Sequence, residues 1–104
     1  MNFTMYLDDI RKLPNSSWVL ARNYDDFRSI IMTNGCPNHI SFDHDLGANQ
    51  ESGFDAAKWL VNQDLNYEGK FIPEDFTFNV HSMNPVGHEN IKKLLLNYLE
   101  FRNV

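Results

Sequence analysis

Short apolar runs separated by polar turns set the rhythm of this chain, and their period decides the elements. "FTMYL" (3–7), "WVLA" (18–21), "HISF" (39–42) and "FTFNV" (76–80) are too short for helices and are rich in aromatic and β-branched residues, so they read as strands. "NYDDFRSIIMTNG" (23–35) instead follows a helical period. Tyr24, Phe27, Ile30 and Ile31 share one face, and Asn34-Gly35 is a stop signal. "SGFDAAKWLVNQDL" (52–65) opens with Ser52 and Asp55 in a capping-box pattern, with Phe54, Ala57, Val61 and Leu65 as its apolar face. The last helix starts at Asn84-Pro85, a cap followed by a first-turn proline, and turns Ile91, Leu94, Leu95 and Tyr98 inward.

Strands alternating with helices predict an α/β fold: a small three-layer domain whose four-stranded, mostly parallel sheet carries helices on both faces. One connection strains that scheme. Only eight residues separate Asp9 from Trp18, which is short for a helical crossover. An irregular crossover to a parallel edge strand is expected there, with an antiparallel second strand as the alternative. With 104 residues, the chain is expected to form one domain over 1–104.

Composition narrows the class. With 42% hydrophobic and 13% aromatic residues, the chain has the make-up of a folded globule. No apolar stretch approaches the roughly 20 residues needed to cross a bilayer, so no membrane association is expected. The opening "MNFTMYLDD" lacks the basic start and apolar run of a secretory signal; cytoplasm is the expected compartment. Cys36 is the one cysteine, which excludes an internal disulfide and a Cys-based zinc cage. Before Pro37 it reads as a small loop residue. The net charge is −5 and the nine Lys and Arg are scattered, so extended duplex nucleic-acid binding is not expected. A small phosphorylated nucleotide or a single RNA end remains compatible.

Chemistry concentrates where strands end. "ISFDHDLG" (40–47) closes its strand with Asp43, His44 and Asp45; the first strand ends at Asp8 and Asp9, the fourth at His81 and Ser82. In an open α/β sheet the ligand crevice lies beyond the carboxyl ends of the strands, so the topology sends all of these to one place. Four carboxylates there repel, and a hard divalent cation held by Asp8, Asp9, Asp43 and Asp45 relieves the repulsion; magnesium is expected, with another divalent metal open. Zinc is a weaker fit because no two histidines stand at a tight ligand spacing. The last helix points its N-terminus at the same crevice, which makes Ser82, Asn84, Gly87 and His88 phosphate-binding candidates, His88 facing either the site or solvent. His44 and His81, beside the acids, are acid–base candidates. His39 reads as structural.

Two levels of resemblance follow from these motifs. The pair Asp8-Asp9 and the strand-closing Asp43 resemble the response-regulator receiver domain, in which Asp43 matches the phosphoacceptor and Asp45 a carbonyl ligand of magnesium. Leu46-Gly47 matches its apolar-Pro turn, and His81 or Ser82 its Ser/Thr. The fifth strand of that flavodoxin-like fold, the lysine ending it, and the last helix have no counterpart here. A closer resemblance is to the divergent receiver-like family predicted to process cyclic phosphates. It runs through "LDDIRKLP" (7–14), "WVLARNYDDF" (18–27), "ISFDHDLG" (40–47), "GFDAAKWL" (53–60) and "VHSMNPVGHENI" (80–91). This resemblance implies His44 and His81, with Asp43, as catalytic residues supported by the other acids. Arg11 and Arg22 become phosphate contacts, although Arg11 could equally brace the Asp pair. The expected activity is a phosphoesterase acting on a cyclic nucleotide or a 2′,3′-cyclic phosphate at an RNA end. A nucleotide-binding module without turnover and a degenerate phosphoacceptor domain are the alternatives.

Overall fold

The computed structural model describes residues 2–103. Every expected element forms: strands β1 (Thr4–Leu7), β2 (Trp18–Ala21), β3 (His39–Phe42) and β4 (Thr77–Val80), and helices α1 (Tyr24–Asn34), α2 (Gly53–Asn66) and α3 (Pro85–Arg102). The caps act as the local sequence requires. Asn23 accepts the N–H of Asp26, Ser52 and Asp55 close a reciprocal capping box, and Asn84 accepts the N–H of Gly87.

The strands form one parallel sheet in the order β2-β1-β3-β4. β2 is the parallel edge strand, reached by an irregular connection without a helix. Side chains in register share a face, so Met5, Leu7, Ala21, Ile40 and Phe42 point one way and meet Phe27 and Ile31 of α1, Ala57 and Leu60 of α2, and Ile91 and Leu95 of α3 in a single core. The crossovers β2-α1-β3 and β3-α2-β4 step in the same direction, and right-handed connections then put both helices on one side; α2 also packs on α3. The receiver-like α/β sheet is therefore as expected, but its helices lie on one face rather than both, in two layers. The β1–β2 connection, whose opposite step would carry a helix onto the second face, has no room for one. The uncovered face carries Thr4, Tyr6, Trp18, His39, Ser41, Thr77 and Asn79.

The inner face of α2 departs from the apolar pattern at one place. Leu65 is exposed and Asp64 is fully buried instead. Its carboxylate accepts the N–H groups of Phe71 (2.9 Å) and Ile72 (2.8 Å), the Tyr98 hydroxyl (2.6 Å) and the Arg102 guanidinium (3.4 Å). Burial pushes this carboxyl up, but the N–H of Ile72, the Tyr98 hydroxyl and the N–H of Phe71 outweigh it and hold the pKa below its ordinary value. Tyr98 is pushed up to about 12 by burial and by Asp64. Cys36 is a buried thiol pushed up to about 12, chiefly by burial. Among the described residues, no helix is long and apolar enough to cross a membrane.

Candidate active site

β1, β3 and β4 are neighbours, so their carboxyl ends converge. Asp8 follows β1 directly, fixed by its N–H on the Ala21 carbonyl (3.1 Å). Its fully buried carboxylate turns the chain back: Oδ1 accepts the N–H groups of Ile10 (3.0 Å) and Arg11 (2.8 Å), and Oδ2 accepts His81 Nε2 (2.9 Å). Burial alone would raise its pKa; the two N–H groups and His81 prevail and lower it. Asp43 donates its N–H to Leu7 O (2.9 Å), and its Oδ1 accepts the N–H of His44 (2.9 Å). The Asp43 carboxyl is raised above its ordinary value, first by burial and next by the charge of Asp8. His81 donates its N–H to Phe42 O (2.9 Å), stacks its ring on Tyr6 (4.4 Å between centroids) and sets Nδ1 against Ser41 Oγ (2.7 Å). One ligand atom from each of Asp8, Asp43 and His81 lies within 4.8 Å of the others.

Asp8 and Asp43 open onto a groove of 520 Å³ whose polar walls are Asp8, Asp9, Arg11, Asp43, Asp45 and Ser82. Arg11 is the cation in that wall. Its Nε lies 3.7 Å from Asp8 Oδ2, and a second guanidinium nitrogen donates to His81 O at 3.1 Å. It braces the acid as well as lining the groove. Arg22 donates to the carbonyls of Asp8 (3.2 Å) and Arg11 (2.8 Å), which spends it on holding the loop after β1. The donor set fits a hard divalent cation: buried carboxylate oxygen crowded against a second carboxylate, with one guanidinium beside them and an imidazole nitrogen in reach. Asp8 and Asp43 could hold such a cation, with Asp9 and Asp45 in the same groove.

The structure separates four expected residues from this cluster. His44 pairs Nδ1 with Asp45 Oδ1 (2.8 Å) and lies outside the Asp8–Asp43–His81 cluster. Its ring occupies the space over Gly87, where a Cβ would come within 2.2 Å of His44 Cγ. Gly87 thus makes room for a histidine rather than for an anion. The Gly87 N–H is already taken by Asn84 Oδ1 (2.9 Å), and the Asn84 amide reaches the Asp45 carboxylate (3.4 Å), so neither is free to receive phosphate. His88 lines a different groove of 460 Å³ between β4 and α3, beside Phe78 and Lys92. Ser82 stays in the groove wall, its Oγ accepting the Asn84 N–H (3.1 Å). The Asp45 carboxyl is lowered by its hydrogen bond to His44. Ser41 touches the site through His81 and Asn79 bonds Ser41 behind it; neither was singled out from the residues, and their signal is the alternation that puts them on the same sheet face as Tyr6. His39 bonds Thr77 and Asn79 on that face.

A parallel β2-β1-β3-β4 sheet with acids gathered beyond its carboxyl edge defines a receiver-like α/β domain. The sequence profile of the cyclic-phosphate processing receiver domain matches residues 3–97, and the chain belongs to that family. No curated protein matches it. Among solved structures, one described as the yeast Spc42 trimeric coiled coil fused to another protein is similar, with a TM-score of 0.52 at 13% identity, over 98% of this chain and 77% of that one. That similarity is one of fold.

Proposed function

We propose that the acidic groove hydrolyses a cyclic phosphate, either a small cyclic nucleotide or a 2′,3′-cyclic phosphate at an RNA end. The observation that carries this reading is the convergence of Asp8, Asp43 and His81 within 4.8 Å. In such a reaction a water oxygen bonds to phosphorus, one ring P–O bond breaks, and the leaving oxygen takes a proton. The task needs a base and an acid on opposite sides of the phosphate. His44 lies outside that cluster, so the two roles fall to Asp43 and His81. Asp43, raised by burial and by the charge of Asp8 in the metal-free groove, takes the proton of the attacking water. His81, whose Nε2 sits on Asp8 Oδ2 within 4.8 Å of an Asp43 oxygen, serves the leaving oxygen. Arg11 keeps guanidinium N–H groups beyond those it has committed and contacts a phosphoryl oxygen. Magnesium or another divalent cation, when bound by Asp8, Asp9 and Asp43, neutralises charge on the phosphoryl oxygens.

The test is incubation with cyclic mono- and dinucleotides and with RNA ending in a 2′,3′-cyclic phosphate, each with magnesium, with manganese or with chelator, read by chromatography. Ring opening is expected with wild type, reduced about 10²–10⁴-fold in His81→Ala and lost in Asp43→Asn. Intact substrates throughout at micromolar protein sink the catalytic reading. Tight calorimetric binding with ligand recovered unchanged would reassign the groove to capture without turnover.

A further inference from the structure

The uncovered sheet face holds a series of side-chain hydrogen bonds that ends in the active site. Thr77 Oγ1 meets His39 Nδ1 (2.8 Å), His39 Nε2 meets Asn79 Oδ1 (2.8 Å), and Asn79 Nδ2 donates to Ser41 Oγ (2.9 Å). Ser41 Oγ meets His81 Nδ1 (2.7 Å), and His81 Nε2 meets Asp8 Oδ2 (2.9 Å). Ser41 is nearly inaccessible, at 2% exposure, and these two are the side-chain partners its hydroxyl has among the described residues.

The direction of each bond follows from the chemistry of its ends. An ionised carboxylate accepts only, so His81 Nε2 carries a proton. A ring protonated there offers a lone pair at Nδ1, and Ser41 is the donor in reach. The Ser41 oxygen already accepts from Asn79, which leaves its single proton for His81. Asn79 presents its carbonyl oxygen to His39, so His39 also carries its proton on Nε2 and accepts from the Thr77 hydroxyl. Every member between the ends gives one hydrogen bond and takes one, all in the same direction, and the series terminates at Asp8. Bonds aligned in this way polarise one another and strengthen. Reversing the Ser41–His81 bond leaves a buried hydroxyl proton without an acceptor, a costly arrangement.

We infer that Ser41, with Asn79 behind it, is a positioning residue that holds His81 as the Nε2–H tautomer with that proton directed at Asp8 Oδ2. The inference rests on the reading of His81 as the residue serving the leaving oxygen. In that role Ser41 fixes both the plane of the imidazole and the atom that carries the proton, without touching substrate. By analogy with the side chains that orient metal-bound imidazoles, removing Ser41 is expected to cost about 10–100-fold.

Nitrogen-15 NMR of the histidine rings in metal-free protein at one fixed pH tests this directly. Wild-type His81 is expected to show a protonated Nε2 and an unprotonated, hydrogen-bonded Nδ1. Ser41→Ala should shift the Nδ1 resonance downfield as its donor is lost, and Ser41→Thr, which keeps the hydroxyl, should restore it. Asn79→Ala removes an exposed side chain and threatens folding least; it should shift Nδ1 in the same direction by less. In turnover, Ser41→Ala should lower kcat about 10–100-fold with KM little changed, and Ser41→Thr should recover most of it. A wild-type His81 protonated on Nδ1 and bare on Nε2, or an Nδ1 resonance that ignores Ser41→Ala and Asn79→Ala alike, overturns the inference. Absence of turnover with every cyclic phosphate overturns the phosphodiesterase reading alone, because the tautomer measurement needs no substrate.

Discussion

Replacing Asp43 with asparagine separates a site residue from a scaffold residue. Asp43 and Asp8 bring ligand oxygens within 4.8 Å of each other, where two unit charges repel by about 3.5 kcal/mol at an effective dielectric of about 20. Arg11, at 3.7 Å from Asp8, and water in the groove screen most of that, leaving ~1 kcal/mol of strain for the asparagine to relieve. Against this, the His44 N–H keeps an acceptor but exchanges a charged one for a neutral one, a loss of about 0.5 kcal/mol. The variant should therefore be as stable as wild type or better by up to about 1 kcal/mol, a rise of up to about 6 °C in Tm for a domain of this size. The pH dependence has a definite sign. The folded-state pKa of Asp43 lies above its ordinary value of 3.8, so ionising it costs stability. The advantage of asparagine is full above the raised pKa, shrinks as pH falls through it, and vanishes below 3.8. Magnesium should then reverse the ranking, since a cation that binds the folded state stabilises it in proportion to occupancy and the variant has lost a ligand. Thermal melts at neutral pH, with magnesium and with chelator, read all of this. A variant that melts well below wild type in chelator would show that Asp43 is a scaffold carboxylate and that its crowding with Asp8 has been misjudged.

Asp64→Ala strands two buried N–H groups, the Tyr98 hydroxyl and part of Arg102, and should cost about 3–5 kcal/mol in urea titrations. Because the folded Asp64 pKa is lowered, its contribution is full above the unfolded value and disappears as pH falls through the folded one. Gly87→Ala must displace a histidine ring 2.2 Å from the new Cβ and should cost about 1–3 kcal/mol, read by thermal melt, while turnover survives because His44 lies outside the Asp8–Asp43–His81 cluster. His88→Ala should leave cyclic-phosphate turnover unchanged, since its side chain lines the groove between β4 and α3; a large loss there would mean that the active groove has been misplaced.

Local rules made the elements and most of the site readable. A capping box spans four residues and Asn84-Pro85 spans two, so both could be recognised without the rest of the chain. The meeting of Asp8, Asp43 and His81 was legible for a related reason: each is the first residue past its strand, and parallel strands share one carboxyl edge. Long-range partners were not legible. Asp64 displaced Leu65 from the core face of α2 because its hydrogen-bond donors come from Phe71, Ile72, Tyr98 and Arg102, none within one helical turn. His44 stands apart from Asp8, Asp43 and His81 because Gly87, in another element, offers it a space that no side chain fills.

The uncovered face was the hardest part to read, since periodicity tells which residues point away from a core but not what they do there. Thr77 and Asn79 are exposed and would pass for solvent-facing filler on an edge strand. Ser41, in the middle of β3, gives a different answer. A buried hydroxyl on the face without helices needs a partner for its proton, and the one in reach is the imidazole that faces Asp8. A purely apolar serine substitute would suit a sheet face covered by Tyr6 and His81 at least as well for packing. The polar choice makes sense where the ring beside it must keep a particular nitrogen protonated, and that requirement ties the open face of the sheet to the chemistry at its edge.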